Sequence, residues 1–284
     1  MSILDFQRSR FNQHIEIGGQ LPDNKFNGRP WDYRAYQNAV RSHLNRISAS
    51  RTGEIIISAM TRSLLIVPRT EEDGNAEARV VSSTAPGFRT TDAPISTGLD
   101  TRNAVMEGVA ISQPLRNSPL QHSILGVLNT GSGQGADVVI EFTPGFHSRG
   151  SALQQNNLFL GRATELLLHE MVHAMLGMRG LIDPTPTTGA AAGYHGRNEF
   201  NAIMVTNIYR SELSPTAALR GSHHMTWENL DNPEQFYTRH RTLVDAFCNK
   251  VPQIARRLAG IRRATFNPCA DHFLARAHAR SRTA

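Results

Sequence analysis

Eight consecutive residues, Leu166-Leu167-Leu168-His169-Glu170-Met171-Val172-His173, constrain this chain more than any other stretch. Histidines four positions apart lie on one face of a helix, one turn above the other, so both imidazoles can reach a single metal ion. The glutamate beside the first histidine then stands next to a water that such an ion would hold. With 12 His and 13 Glu in 284 residues, chance placement yields about 0.02 HExxH patterns per chain. The flanks narrow the reading further. Leu158, Phe159, Leu160, Ala163, Leu166 to Leu168, Met171, Val172 and Ala174 to Leu176 predict a mostly buried helix, roughly Asn156 to Gly177, ended by Gly177 and Gly180. Two histidines and a carboxylate inside such a helix each cost free energy unless something satisfies them, and one metal ion coordinates them together. The implied chemistry is zinc-assisted hydrolysis of an amide, with Zn2+ as the cofactor and Glu170 as general base.

A catalytic zinc takes three protein ligands and leaves one position open. An extended HExxHxxGxxH pattern requires Gly at 176 and His at 179, but the chain has Leu176 and Arg179. The remaining option is an acid from a later element. Glu199 falls in the first turn of a second predicted helix, about Asn198 to Ser211, and a return of that helix against the first would bring it to His169 and His173. Asp183 and His195 are its rivals. Donors for the developing oxyanion come from Tyr209, Arg210, Arg220, His223 and His224, of which Tyr209 and His223 are carried forward as catalytic candidates. Asn198, Asn201 and Thr206 are candidates to hold the outer ring nitrogens of the ligand histidines.

Elsewhere the punctuation is clear in places and weak in others. Residues 1–30, with Gly18-Gly19, Pro22, Gly28 and Pro30, read as an irregular leader. Tyr36, Val40, His43, Leu44 and Ile47 recur at helical spacing. Gly53 to Met60 fits a helix or a strand equally. Ser63 to Val67 and Val138 to Phe142 predict short strands. Thr70 to about Pro119 reads as loops with short strands. The glycine-rich 131–135 segment leads into a strand rather than a helix, so it is a turn and not a phosphate loop. Asp183 to Gly193 reads as a loop, and the C-terminal apolar positions from Phe236 to Leu258 predict further helices.

Composition removes several classes. No apolar run reaches the length of a membrane-spanning helix. The first residues lack the apolar core of a cleavable signal peptide. Cys248 and Cys269 are too few for a disulfide framework. The net charge is +6, but from Arg239 onward ten Lys/Arg and two acidic residues make that end +8. No aromatic residues interleave with these arginines as a nucleic-acid platform requires, so a solvated helix face is favoured over an Arg-rich nucleic-acid binder. Lys25 and Lys250 are the only lysines.

The runs HEMVHAMLG, NEFNAIMVTNIYRSEL, LRGSHH and FNP, with VVIEFTPG upstream, together resemble the NleD-like effector zinc metallopeptidases found among bacterial type III secretion effectors. The resemblance spans about residues 50 to 270. It implies an α+β, zincin-like metallopeptidase domain with a small sheet and an active-site HExxH helix, in one unit from 31 to 284 whose part from about 231 is basic and helical. It also implies a secreted virulence protein, delivered without a Sec signal peptide into a host cell, where its partners are host-protein substrates; an ordinary cytoplasmic protein is the alternative. His169, His173 and Glu199 match the metal ligands and Glu170 the base. The basic tail and the Asp183–Gly193 loop depart from the pattern. A non-catalytic zinc-containing interaction module, with a fourth protein ligand closing the site, is the rival outside enzymes.

Overall fold

A computed structural model describes residues 12–18, 32–67, 137–142, 163–183, 185–223 and 228–281, with the backbone of 7–8, 25–26, 29–30 and 79–82. Asp32 starts helix α1 (Tyr33–Ser48) by accepting from the backbone N–H groups of Arg34 and Ala35. Its buried face carries Tyr36, Val40, Leu44 and Ile47. Helix α2 (Arg51–Ser58) settles the ambiguous Gly53–Met60 stretch. Three consecutive isoleucines favour a strand, but the helix N-terminus is held twice. Ser50 accepts from Gly53 N, and the Glu212 carboxylate accepts from Arg51 N and Thr52 N at 2.6 and 2.9 Å. A Cβ on Gly53 would meet the Ile47 carbonyl oxygen at 2.0 Å, so only glycine lets α2 pass the end of α1 this closely.

Five described strands form one mixed sheet in the order β1-β2-β5-β7-β6, with β1 at Gln7–Arg8, β2 at Ile15–Ile17, β5 at Leu64–Val67, β6 at Arg79–Ser82 and β7 at Val138–Glu141. β3 (Lys25–Phe26) and β4 (Arg29–Pro30) pair separately. β2, β5 and β7 are parallel, with Ile15 opposite Leu64 and Leu64 opposite Val138; β6 lies antiparallel to β7. All four residues of β5 are buried, the expected character of a central parallel strand covered on both faces. β2 corrects the reading of residues 1–30 as wholly irregular. Ile15 and Ile17 are buried in the sheet, but three residues carry no period that a sequence reading can detect. The strands expected from SLLIV and VVIEF are present as β5 and β7. The architecture is α+β.

Helix α3 (Ala163–Gly177) packs on β6 and β7 and against α1, α2 and helix α4 (Arg197–Leu213). Every residue of α3 is buried, which is why its sequence is apolar on all sides instead of amphipathic. Residues 156–162, expected to open this helix, lie outside the described residues, as does the 131–135 turn. Gly180, at φ +60°, turns the chain after α3. A 3-10 turn, Gly189–Tyr194, begins within the segment expected to be a loop from Asp183 to Gly193 and ends one residue beyond it. The tail forms α5 (Phe236–Arg239), α6 (Arg241–Lys250), α7 (Pro252–Ala259) and α8 (Pro268–Ser281). It docks on α4 through Phe236, whose ring stacks on Phe200 at 5.5 Å and meets Phe266 at 5.0 Å. Cys248 and Cys269 are buried free thiols in this layer. Arg256, Arg257, Arg262, Arg263 and Arg276 are exposed. Among the described residues no helix is long and apolar enough to cross a membrane.

Candidate metal centre

His169 and His173 stand one turn apart on α3, and α4 returns antiparallel across them with Glu199 in its first turn. His169 Nε2 lies 3.0 Å from Glu199 Oε2, His173 Nε2 lies 3.3 Å from Glu199 Oε1, and the two Nε2 atoms are 3.2 Å apart. A fourth donor joins them from a loop: His223 Nε2 is 3.0 Å from Glu199 Oε2. The ligand atoms of His169, Glu199 and His223 all fall within 4.8 Å of one another. The His169 and His223 rings stack at 6.0 Å and 19°.

Electrostatics alone do not explain three imidazoles around one carboxylate. Burial pushes His169 down to about 4; its hydrogen bond to Glu199 and the charge of Glu199 only partly offset this, and the neighbouring His173 and His223 push it down further. Burial also acts to lower His173, but Glu199 and then Glu170 outweigh it, so His173 sits above its ordinary value. Glu199 is held well below the usual carboxylate range: burial opposes ionisation, yet the charge on His173 and hydrogen bonds from His169, His173 and His223 win. A divalent cation resolves this crowding. In a tetrahedral zinc site with bonds near 2 Å, neighbouring donors are about 3.3 Å apart. The observed donor spacings of 3.0–3.3 Å match that edge. His173 Nδ1 is buried without a hydrogen-bond partner among the described residues, so the outer contact that a ligand histidine ordinarily makes is not seen there. The residues present therefore fit a divalent metal ion such as zinc.

The loop carrying His223 is fixed by a residue that the sequence reading passed over. Asn207, fully buried on α4, donates from Nδ2 to the Arg220 carbonyl and accepts from the Arg220 N–H, both at 2.8 Å. Gly221 then donates to the Glu228 carbonyl and Leu230 to that of Leu219, a short antiparallel pairing. A Cβ at Gly221 would sit 2.8 Å from the Asn229 carbonyl oxygen, so the approach needs glycine. His223 itself donates its N–H to the Gly193 carbonyl at 2.8 Å. The available signal was an asparagine amid Ile203, Met204 and Ile208 on a buried helix, which has to spend its amide on something.

The other candidates are distributed as follows. Glu170 is buried and near enough to His173 to raise its pKa. Tyr209 is not brought to the cluster. It stands ten positions beyond Glu199, about 15 Å along the helix axis, and it is buried. Arg210 is committed to Glu165, with which it forms a short ion pair, and to the Ala218 carbonyl. Arg220 contributes its backbone, and His224 lies outside the described residues. Asp183 is no ligand: Lys250 at 2.7 Å and Arg197 at 3.2 Å pair with its carboxylate. His195 is exposed at φ +61°, its ring edge-to-face with His223 at 5.4 Å. Asn198 instead accepts from Asp183 N, and Thr206 donates to the Ala202 carbonyl.

The profile of the effector protein family Peptidase_M91 matches residues 24–206. The chain belongs to that family, and the membership makes it a peptidase of the effector class. The match contains His169, Glu170, His173 and Glu199 and ends before His223 and the C-terminal helices. No curated protein matches the chain.

Proposed function

We propose that this chain is a zinc-dependent endopeptidase of the His2Glu type, an effector that cleaves proteins inside a host cell after delivery without a Sec signal. The observation that carries it is the convergence of His169 Nε2, His173 Nε2 and the Glu199 carboxylate at 3.0–3.3 Å, beside Glu170. Packing of α3 across β6 and β7, with β6 antiparallel to its neighbour, supports a zincin-like fold. Membership of an effector peptidase family supports protein substrates. His169, His173 and Glu199 would hold the zinc, which when bound would supply Lewis acidity and lower the pKa of nearby water. Glu170 accepts the proton of the attacking water and returns it to the leaving amine. Glu199 is half-buried and held well below the usual carboxylate range, so it would offer a full charge to the cation.

One observation favours a second reading, a closed zinc site in a non-catalytic module: His223 is a fourth protein donor within reach. Function separates the two. The purified protein is incubated with host-cell lysate, with and without a chelator, and new N-termini are identified by mass spectrometry. Cleavage should vanish with the chelator and return with zinc. Glu170→Gln should keep its zinc and lose about 100- to 10,000-fold in cleavage rate. Undiminished cleavage by that variant would remove Glu170 from the mechanism.

A further inference from the structure

We propose that His223 is a displaceable fourth ligand, a latch that closes the metal site at rest and swings out to admit substrate. This rests on the zinc reading above. The four donors differ in how they are held. His169 and His173 belong to a helix buried on every side, and Glu199 to the first turn of another. Helix packing fixes the backbones of all three; Glu199, at 19% side-chain exposure, is the least buried of them. His223 stands in a non-helical segment, two residues past Gly221. Its side chain is 27% exposed, against 6% for His169 and 3% for His173. Its ring therefore reaches solvent by side-chain rotation alone.

The base of the latch does not move with the ring. Asn207 grips Arg220 from both sides, and the His223 N–H is bonded to the Gly193 carbonyl. This combination of a fixed backbone and a partly solvated ring returns the same nitrogen to the same place. The exposed His195 ring meets His223 edge-to-face at 5.4 Å, and the His169 ring stacks on it at 6.0 Å. Displacement is a ligand exchange. The Nε2 lone pair of His223 leaves the cation and an oxygen of water or of a substrate carbonyl takes its place, with no covalent bond in the protein made or broken. A four-donor resting set thus remains compatible with hydrolysis, which a permanently closed set is not.

Cobalt(II) replaces zinc for the test, because its visible spectrum reports the donor set. The full-length protein and His223→Ala are loaded with cobalt, and zinc affinity is measured by competition with a chromophoric chelator. The variant should show a changed cobalt spectrum and about 10- to 100-fold weaker zinc binding, in line with the loss of a tuned metal contact. Acetohydroxamate should bind the cobalt wild type by displacing His223, and should bind His223→Ala more tightly. His223→Cys should add a thiolate-to-cobalt charge-transfer band, which a merely structural residue would not produce. Identical spectra and zinc affinities in wild type and His223→Ala overturn the latch while leaving the zinc reading intact. Failure of acetohydroxamate to perturb the wild-type spectrum also overturns it, because the ligand is then fixed. A wild type that takes up no stoichiometric zinc removes the zinc reading itself.

Discussion

His173 and His272 are both 2% exposed and both face a carboxylate, yet they sit in different kinds of cluster. Around His272 one acid gathers an imidazole, a hydroxyl and a guanidinium. The ring Nδ1 meets Asp245 Oδ1 at 2.6 Å, Tyr237 donates its hydroxyl to the same oxygen at 3.0 Å, and Arg241 approaches the other oxygen at 3.7 Å. One acid serves one imidazole, and an arginine supplies the opposite charge. Around His173, one acid serves three imidazoles whose Nε2 atoms turn toward one point. A buried histidine beside a half-buried acid does not by itself mark a metal site. Convergence of several ligand atoms on one point makes a set that could hold a metal ion.

The contrast is breakable by mutation. Glu199→Ala should lower zinc affinity by at least about 100-fold, beyond the effect of an outer contact, with competition titration as the measurement. Wild-type affinity in that variant would dissolve the distinction between the clusters. Arg210→Ala should be next. It strips the counter-charge from Glu165, buried on α3 one turn before His169, and should cost about 3 kcal/mol in urea unfolding. The metal donors are untouched, so zinc stoichiometry should stay at the wild-type level.

Asp183→Asn tests another cluster gathered around one acid. Its carboxyl is pushed up by burial, but hydrogen bonds from Lys250 and Thr185 outweigh this and leave it lowered from 3.8. A lowered folded pKa means stability that is present above the unfolded value and lost as pH falls through the folded one. The substitution should cost about 2 kcal/mol at neutral pH. The difference from wild type should shrink below about pH 4, where Asp183 protonates in the unfolded chain. A constant difference from pH 7 to pH 3, followed by denaturant unfolding, would contradict the assignment. The smallest effect should come from Asp245→Asn, about 1 kcal/mol, because the amide still accepts from Tyr237. Zinc affinity should not change; a change would mean that the two clusters communicate.

Much of the centre was readable because it is local. His169, Glu170 and His173 lie within five residues, and helical geometry fixes their common side. Glu199 was reachable because it opens the next helix and a helix return places it. Tyr209 was misplaced for a related reason: proximity in sequence to Glu199 hid a separation of nearly three turns along α4. His223 was singled out as an oxyanion donor, but its place in the cluster depends on a loop gripped by Asn207, and no spacing encodes that grip. In the fold, β5 and β7 announced themselves by β-branched runs. β2 did not, since its evidence is a partner some fifty residues away. The α2 segment was undecidable until Glu212, from a distant helix, supplied its N-terminal acceptor.

By itself, then, the order of residues determined which helix is buried on all sides and which two rings it points at one place, because a turn of helix needs nothing beyond its own hydrogen bonds. Only the tertiary structure decided how many donors meet there, since three helix-borne groups and one loop-borne ring come together across a core whose packing no single segment contains.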